Sequence, residues 1–275
     1  MLRDSGKIRN VITRRHVAAN CQSSIPMSST LEGKVILITG AARRVGAAIA
    51  RRLHHDGANL VLHYHHSERE AQAMQAELNA IRADSVALIQ ADLLNISGLN
   101  EMVRNTVARF GHLDALINNA SSFYATAMGA ITEADWNSLV GTNVKAPLFL
   151  CQAAAPYLRK TSGSIVNITD IHAERPLKNY VVYSVAKAAL DGLTRSLARE
   201  LGPEIRVNAV APGPILWPED DSFDELARQR VISHTLLKRA GEPADIAKAV
   251  YYLVAEAPFV TGQTISVDGG RSVNL

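Results

Sequence analysis

Cysteine is almost missing from this chain of 275 residues, which holds only Cys21 and Cys151. That excludes a disulfide framework and fits a reducing compartment, so the expected location is cytoplasmic. Long apolar runs are missing too. None reaches the roughly 18 to 20 residues that a bilayer span requires, so no membrane partner is expected. A dominant charge sign is also lacking: the net charge is +3 and the pI near 8.9, with Lys and Arg scattered through the chain. A nucleic-acid partner is therefore not indicated. What remains, 47% hydrophobic and 20% charged residues, suits one substantial core and one domain.

Acids are scarce at the start. Residues 1–30 carry Arg3, Lys7, Arg9, Arg14 and Arg15 against the single acid Asp4, and end in Ser23, Ser24, Ser28 and Ser29. The composition resembles a transit peptide, but the preferred reading is a disordered basic tail, or an over-long start with translation from Met27. The domain is read from Leu31 onward, as residues 31–275.

Within that domain, short β-branched runs alternate with longer helical patterns, which predicts repeated βαβ units. The fold class is α/β, a single Rossmann-type, doubly wound parallel sheet of about seven strands with helices on both faces. Strands are expected near Val35–Thr39, Asn59–Tyr64, Ser85–Gln90, Ala115–Asn118, Ser164–Thr169, Ile205–Ala209 and Thr264–Val267. The stretch from Val35 to Gly46 organises the rest. Four apolar residues run into Thr39-Gly40 and then into a helix from about Arg44, so unpaired N–H groups at the helix start can receive a diphosphate. The dinucleotide fingerprint wants three glycines; Gly40 and Gly46 are present, and Arg44 stands where the middle one falls.

Ligands of such sheets bind outside the carboxyl ends of the strands. The second strand ends in His63-Tyr64-His65-His66-Ser67, with no carboxylate to hold ribose hydroxyls. A 2′-phosphate is tolerated there, with Arg43 adding charge, so NADP(H) is expected over NAD(H); a plain polar loop is the alternative. Metal is not expected, because no third ligand follows at a suitable spacing. After the third strand, Asp92 and Leu93 offer a carboxylate for an adenine amino group, or a helix cap. After the fourth, Asn119, Ala120 and Ser121 allow close backbone approach, followed by Phe123 and Tyr124. The fifth ends at Asp170, and Tyr183 and Lys187 follow four apart on one helical face.

Thr39-Gly40 through Gly46, Asp92, Asn118-Asn119-Ala120, Asn143, Tyr183 to Lys187 and Pro212-Gly213 occur in this order at fitting intervals. Together they resemble the short-chain dehydrogenase/reductase family across residues 31–275. Most members carry Ser at the position of Asp170 and Gly at that of Arg44. These two departures, with His63-Tyr64-His65 and Ser121-Ser122-Phe123-Tyr124, resemble the pteridine reductase branch. The resemblance implies NADPH-dependent reduction of 7,8-dihydropterins, with oxidised pterins and dihydrofolate as further substrates, by a homotetramer. It implies Tyr183 as proton donor, Lys187 as the cation that lowers its pKa and holds the nicotinamide ribose, and Asn143 steadying Lys187 through water. Val45, Pro212 and Gly213 join the cofactor set. Asp170 is either a proton relay to Tyr183 or an ordinary cap. Arg44, Ser121 and Phe123 are expected on the pterin, and the loop with Ile215, Leu216, Trp217 and Pro218 either folds over it or simply packs. A carbonyl reductase, or a non-catalytic NADP(H)-binding sensor or scaffold, are the competing functions.

Overall fold

The computed structural model describes residues 30–215 and 224–274. In chain order they form β1 (Val35–Ile38), α1 (Arg44–His55), β2 (Asn59–Tyr64), α2 (Glu68–Ile81), β3 (Val86–Gln90), α3 (Ile96–Phe110) and β4 (Ala115–Asn118). Then follow α4 (Glu133–Val140), α5 (Ala146–Thr161), β5 (Ser164–Ile168), α6 (Val181–Leu201), β6 (Arg206–Pro212), α7 (Glu225–Ser233), α8 (Pro243–Tyr251), β7 (Thr264–Val267) and α9 (Arg271–Asn274). All seven strands are parallel, in the order β3-β2-β1-β4-β5-β6-β7.

The apolar runs are continuous because both faces of the sheet are covered. Ile36 and Ile38 of β1 pack with Ile49 and Leu53 of α1, Met74 and Leu78 of α2, and Ile246 and Val250 of α8. Val35 and Leu37 point the other way, toward Leu99 and Val103 of α3, Leu150 and Leu158 of α5, and Leu201 of α6. Each such side chain removed from water contributes about 1.5–3 kcal/mol before entropy is counted. The central strands are thereby fixed in register, Ile36 opposite Leu60 on one side and Ala115 on the other. Strand order reverses between β1 and β4, and the crevice opens there.

Strand ends differ from expectation in one informative place. The sixth strand, expected over Ile205–Ala209, runs from Arg206 to Pro212, because Ala209 to Pro212 pair with Thr264 to Val267. The pairing continues past the proline, since Gly213 N–H donates to the Val267 carbonyl at 3.0 Å. Pro212 and Gly213 are thereby brought to the crevice on a strand rather than a loop. No helix among the described residues is long and apolar enough to cross a membrane.

Gly46 sets the distance between α1 and the turn before it. A Cβ there would lie 2.3 Å from the Gly40 carbonyl oxygen and 2.6 Å from Asn119 Nδ2, whereas one at Gly98 in α3 would meet only the Asn95 side chain at 3.6 Å. Gly46→Ala is expected to cost about 1–3 kcal/mol, lowering the Tm by several degrees in a circular dichroism melt. Gly98→Ala is expected to change stability by no more than about 0.5 kcal/mol.

Candidate active site

The site begins at the turn after β1, where two chain segments lie almost in contact. Gly40 has φ +61, and a Cβ on it would lie 2.9 Å from Ala120 Cα. Asn119 Nδ2 donates to the carbonyls of Thr39 and Gly40, both at 2.9 Å. The N–H groups of Asn119 and Ala120 both donate to Thr39 Oγ1 at 3.0 Å. From the other side, His63 Nδ1 accepts the Gly40 N–H at 3.2 Å. Its Nε2 must then carry the hydrogen, donated to the Ala91 carbonyl at 3.0 Å. Burial pushes the His63 pKa down to about 4, so the ring is neutral.

Arg44 opens α1 with φ +55. The position where the fingerprint has glycine does require the left-handed region, and Arg44 adopts it at a cost of about 1–2 kcal/mol. Arg43, the N-cap, supplies no side-chain cap, and the first turn of α1 holds no acid. The positive end of α1 beside a Cβ-free cradle therefore fits a diphosphate.

The second half of the site comes from β5 and α6. Tyr183 and Lys187 lie one turn apart, 4% and 2% exposed. Tyr183 Oη donates to Asp170 Oδ2 at 2.7 Å, and Asp170 Oδ1 accepts the His172 N–H at 2.8 Å. Capping and proton-relay geometry thus coexist, one carboxylate oxygen for each. Lys187 Nζ donates to the Ile168 carbonyl at 2.9 Å. Asn143 lies in a π-helical turn, Gly141–Lys145, whose extra residue turns it inward. Its Oδ1 accepts from Ser121 Oγ at 2.7 Å, and its Nδ2 donates to the carbonyls of Ser122 and Leu139.

Burial first, and the negative charge of Asp170 second, push the Tyr183 phenol well above its ordinary value. Lys187 Nζ, whose donor on the Ile168 carbonyl leaves two others, lies 5.7 Å from the centre of the phenol ring. Burial lowers the Lys187 pKa to about 8, with Asp170 opposing the shift. In this state the phenol keeps its proton and gives its hydrogen bond to a carboxylate.

A cleft of about 570 Å³ joins the two halves. Of the residues expected at the site, Arg43, Arg44, Val45, Asn119, Ser121, Phe123, Asp170, Tyr183, Lys187, Pro212 and Gly213 line it. Gly40, Gly46, His63, Ala120 and Asn143 stand behind that lining. Phe123 stacks on Tyr180 at 4.6 Å between ring centres and meets Tyr183 edge-on at 4.8 Å. Tyr64 is buried against Ala42 and Ala71, while His65 and His66 are exposed beside Ser67, their rings 3.6 Å apart. Asp92 is not the α3 cap, a place held by Asn95; its Oδ1 closes a turn on the Leu94 N–H, and Leu93 is buried. Trp217, with Leu216 and Pro218, lies outside the described residues. The sequence reading missed Ile171, His172, Leu177, Val231 and Arg271 on the cleft wall. Arg271 was within reach, since it follows directly on the Val267-Asp268-Gly269-Gly270 that ends the last strand.

A family model described as enoyl-(acyl carrier protein) reductase matches residues 40–272. Pteridine reductase 1 of Leishmania tarentolae is 37% identical over 289 residues, covering 90% of this chain and 99% of that protein. A 3-oxoacyl-(acyl carrier protein) reductase of Staphylococcus aureus is 36% identical over 240 residues, covering 86% and 97%. Among solved structures, a blue fluorescent protein from a metagenomic library, in complex with NADPH, superposes with a TM-score of 0.83 at 36% identity over 88% of this chain and 99% of that one. With this fold, these side chains and this breadth of similarity, the chain belongs to the short-chain dehydrogenase/reductase family and is an oxidoreductase.

Proposed function

We propose that this protein reduces 7,8-dihydropterins to tetrahydropterins with NADP(H). The observation that carries this reading is the pairing of Tyr183 with a carboxylate, Asp170, at 2.7 Å. A ketone reductase needs a hydroxyl to orient a carbonyl oxygen. A ring C=N needs a proton delivered to nitrogen, and an acid behind the phenol can replace what the phenol gives up. The pteridine reductase of Leishmania tarentolae and the NADPH complex of the metagenomic protein support substrate and cofactor respectively.

NADPH, when bound, supplies the hydride to the substrate carbon. Gly40, Arg43, Arg44, Val45 and Gly46 hold the diphosphate, His65, His66 and Ser67 the 2′-phosphate, and Asp92 with Leu93 the adenine. Tyr64 backs this wall, and His63 keeps the turn in shape from beneath. Asn119, Ala120, Ser121, Pro212 and Gly213 border the nicotinamide, and Lys187 its ribose. Arg44 and Ser121 bond the edge of the pterin while Phe123 covers one face. Tyr183 then turns its hydroxyl from Asp170 to the ring nitrogen and gives its proton there. A proton from solvent, passed by way of Asp170, returns the phenolate to the phenol. The assembly is a homotetramer.

Reduction of 3-oxoacyl thioesters is the second reading, favoured by the 36% identity to the Staphylococcus aureus enzyme. Anaerobic NADPH oxidation with 7,8-dihydrobiopterin, run beside acetoacetyl thioester, separates the two. Turnover confined to the thioester would reject the pterin reading. Tyr183→Phe is expected to lower kcat about 10²–10⁴-fold while NADPH still binds, as read by its fluorescence. Lys187 is a cation below about pH 8 and neutral above it, so kcat/KM should fall as pH rises through about 8; a flat profile between mildly acidic and strongly alkaline pH would contradict this role. Ser67→Asp places a carboxylate against the 2′-phosphate, and the preference for NADPH over NADH should drop at least about tenfold.

A further inference from the structure

The cleft has a continuation that the reduction step does not use. His172, Leu177 and Arg271 line it and also line a second hollow of about 380 Å³, completed by Glu174, Arg175 and Pro176. None of the phosphate-turn residues borders this second space. Its chemistry is unlike that of the ring site, with two guanidiniums and an imidazole against one carboxylate.

Arg271 is the informative member. It is 9% exposed, yet among the described residues its guanidinium pairs with no carboxylate and makes one hydrogen bond, from Nη1 to the Val231 carbonyl at 2.8 Å. Asp268, the nearest compensating charge, has its oxygens committed to the N–H groups of Gly270 and Ser272. Burial consequently outweighs Asp268, and the guanidinium's pKa is lowered. Buried cations are normally paired. This one borders a cleft with most of its five donors uncommitted. Arg175 is exposed at the same hollow. His172 is fixed there by the bond from its Nδ1 to the Arg175 carbonyl at 2.7 Å, which leaves Nε2 for another group. Because the His172 N–H also holds Asp170 Oδ1, the hollow begins two residues along the chain from Asp170.

The geometry points to an anion subsite in which Arg271, Arg175 and His172 receive a carboxylate or phosphate carried on the flexible tail of the substrate. This rests on the pterin reading for the ring held at Tyr183, and it makes these three residues the determinants of tail specificity. Glu174, on the same wall, opposes the anion and sets the strength of the preference.

Three dihydropterins that share the ring test it: 7,8-dihydrobiopterin with an uncharged tail, 7,8-dihydrofolate with a carboxylate tail, and 7,8-dihydroneopterin phosphate. Arg175→Ala is expected to lower the kcat/KM ratio of an anionic-tail substrate to dihydrobiopterin about tenfold, through KM, and Arg271→Gln by more. Glu174→Gln should raise the same ratio. The larger loss, on dihydrofolate or on the phosphate, identifies the anion. Equal effects on all three substrates would overturn the subsite and leave the pterin reading intact. Should no dihydropterin turn over, the pterin reading falls, and binding of p-aminobenzoylglutamate to the NADPH-loaded protein decides the subsite. Binding weakened about fivefold or more by Arg175→Ala supports it, and absent or unchanged binding overturns it.

Discussion

Everything in this site depends on how closely the turn after β1 approaches the segment after β4. Gly40 and Ala120 are separated by less than a methyl group's breadth, and four hydrogen bonds from Asn119 and Ala120 fasten the contact. The turn fixes where α1 starts, and so where its unpaired N–H groups and Arg44 project. The second segment carries Ser121 and Phe123 to the other wall of the same crevice. A single close contact at the point of strand reversal therefore places the start of α1 and the segment with Ser121 and Phe123 on two walls of one cleft.

Asp170 shows how a fold can reuse one side chain. One oxygen ends β5 by holding the His172 N–H, as Ser or Asn would; the other takes the hydrogen of a buried phenol. The fixed first bond aims the second. The same buried setting that keeps water from Tyr183 also raises the phenol's pKa, and the charge of Asp170 adds to that rise.

Much of this was legible in the sequence because parallel strands buried on both faces read as unbroken apolar runs, and because cleft residues fall just after them. The turn at Thr39-Gly40, the start of α1 at Arg44 and the Tyr183–Lys187 spacing were readable for that reason. Other features depend on three-dimensional neighbours. Nothing local says that Arg206 to Pro212 will be drawn into a longer strand by β7, or that Gly141–Lys145 will wind as a π turn around Asn143. Spacing could bring Lys187 beside Tyr183, but not show that its ammonium would find the Ile168 carbonyl first. Arg271 belongs with these, since its meaning lies in its having no paired carboxylate among the described residues.

His63 carries a further consequence. Its neutral ring accepts from Gly40 and donates to Ala91, an arrangement that admits no second proton: an imidazolium would set an N–H against the N–H of Gly40. Between pH 6.5, where the unfolded chain takes up that proton, and about 4, where the folded one does, the native state loses roughly 3 kcal/mol relative to the unfolded. Acid thus strains the turn after β1 from below, through the contacts of His63 with Gly40 and Ala91. One part of the cost that a falling pH imposes on this fold is therefore seated beneath the turn that opens α1.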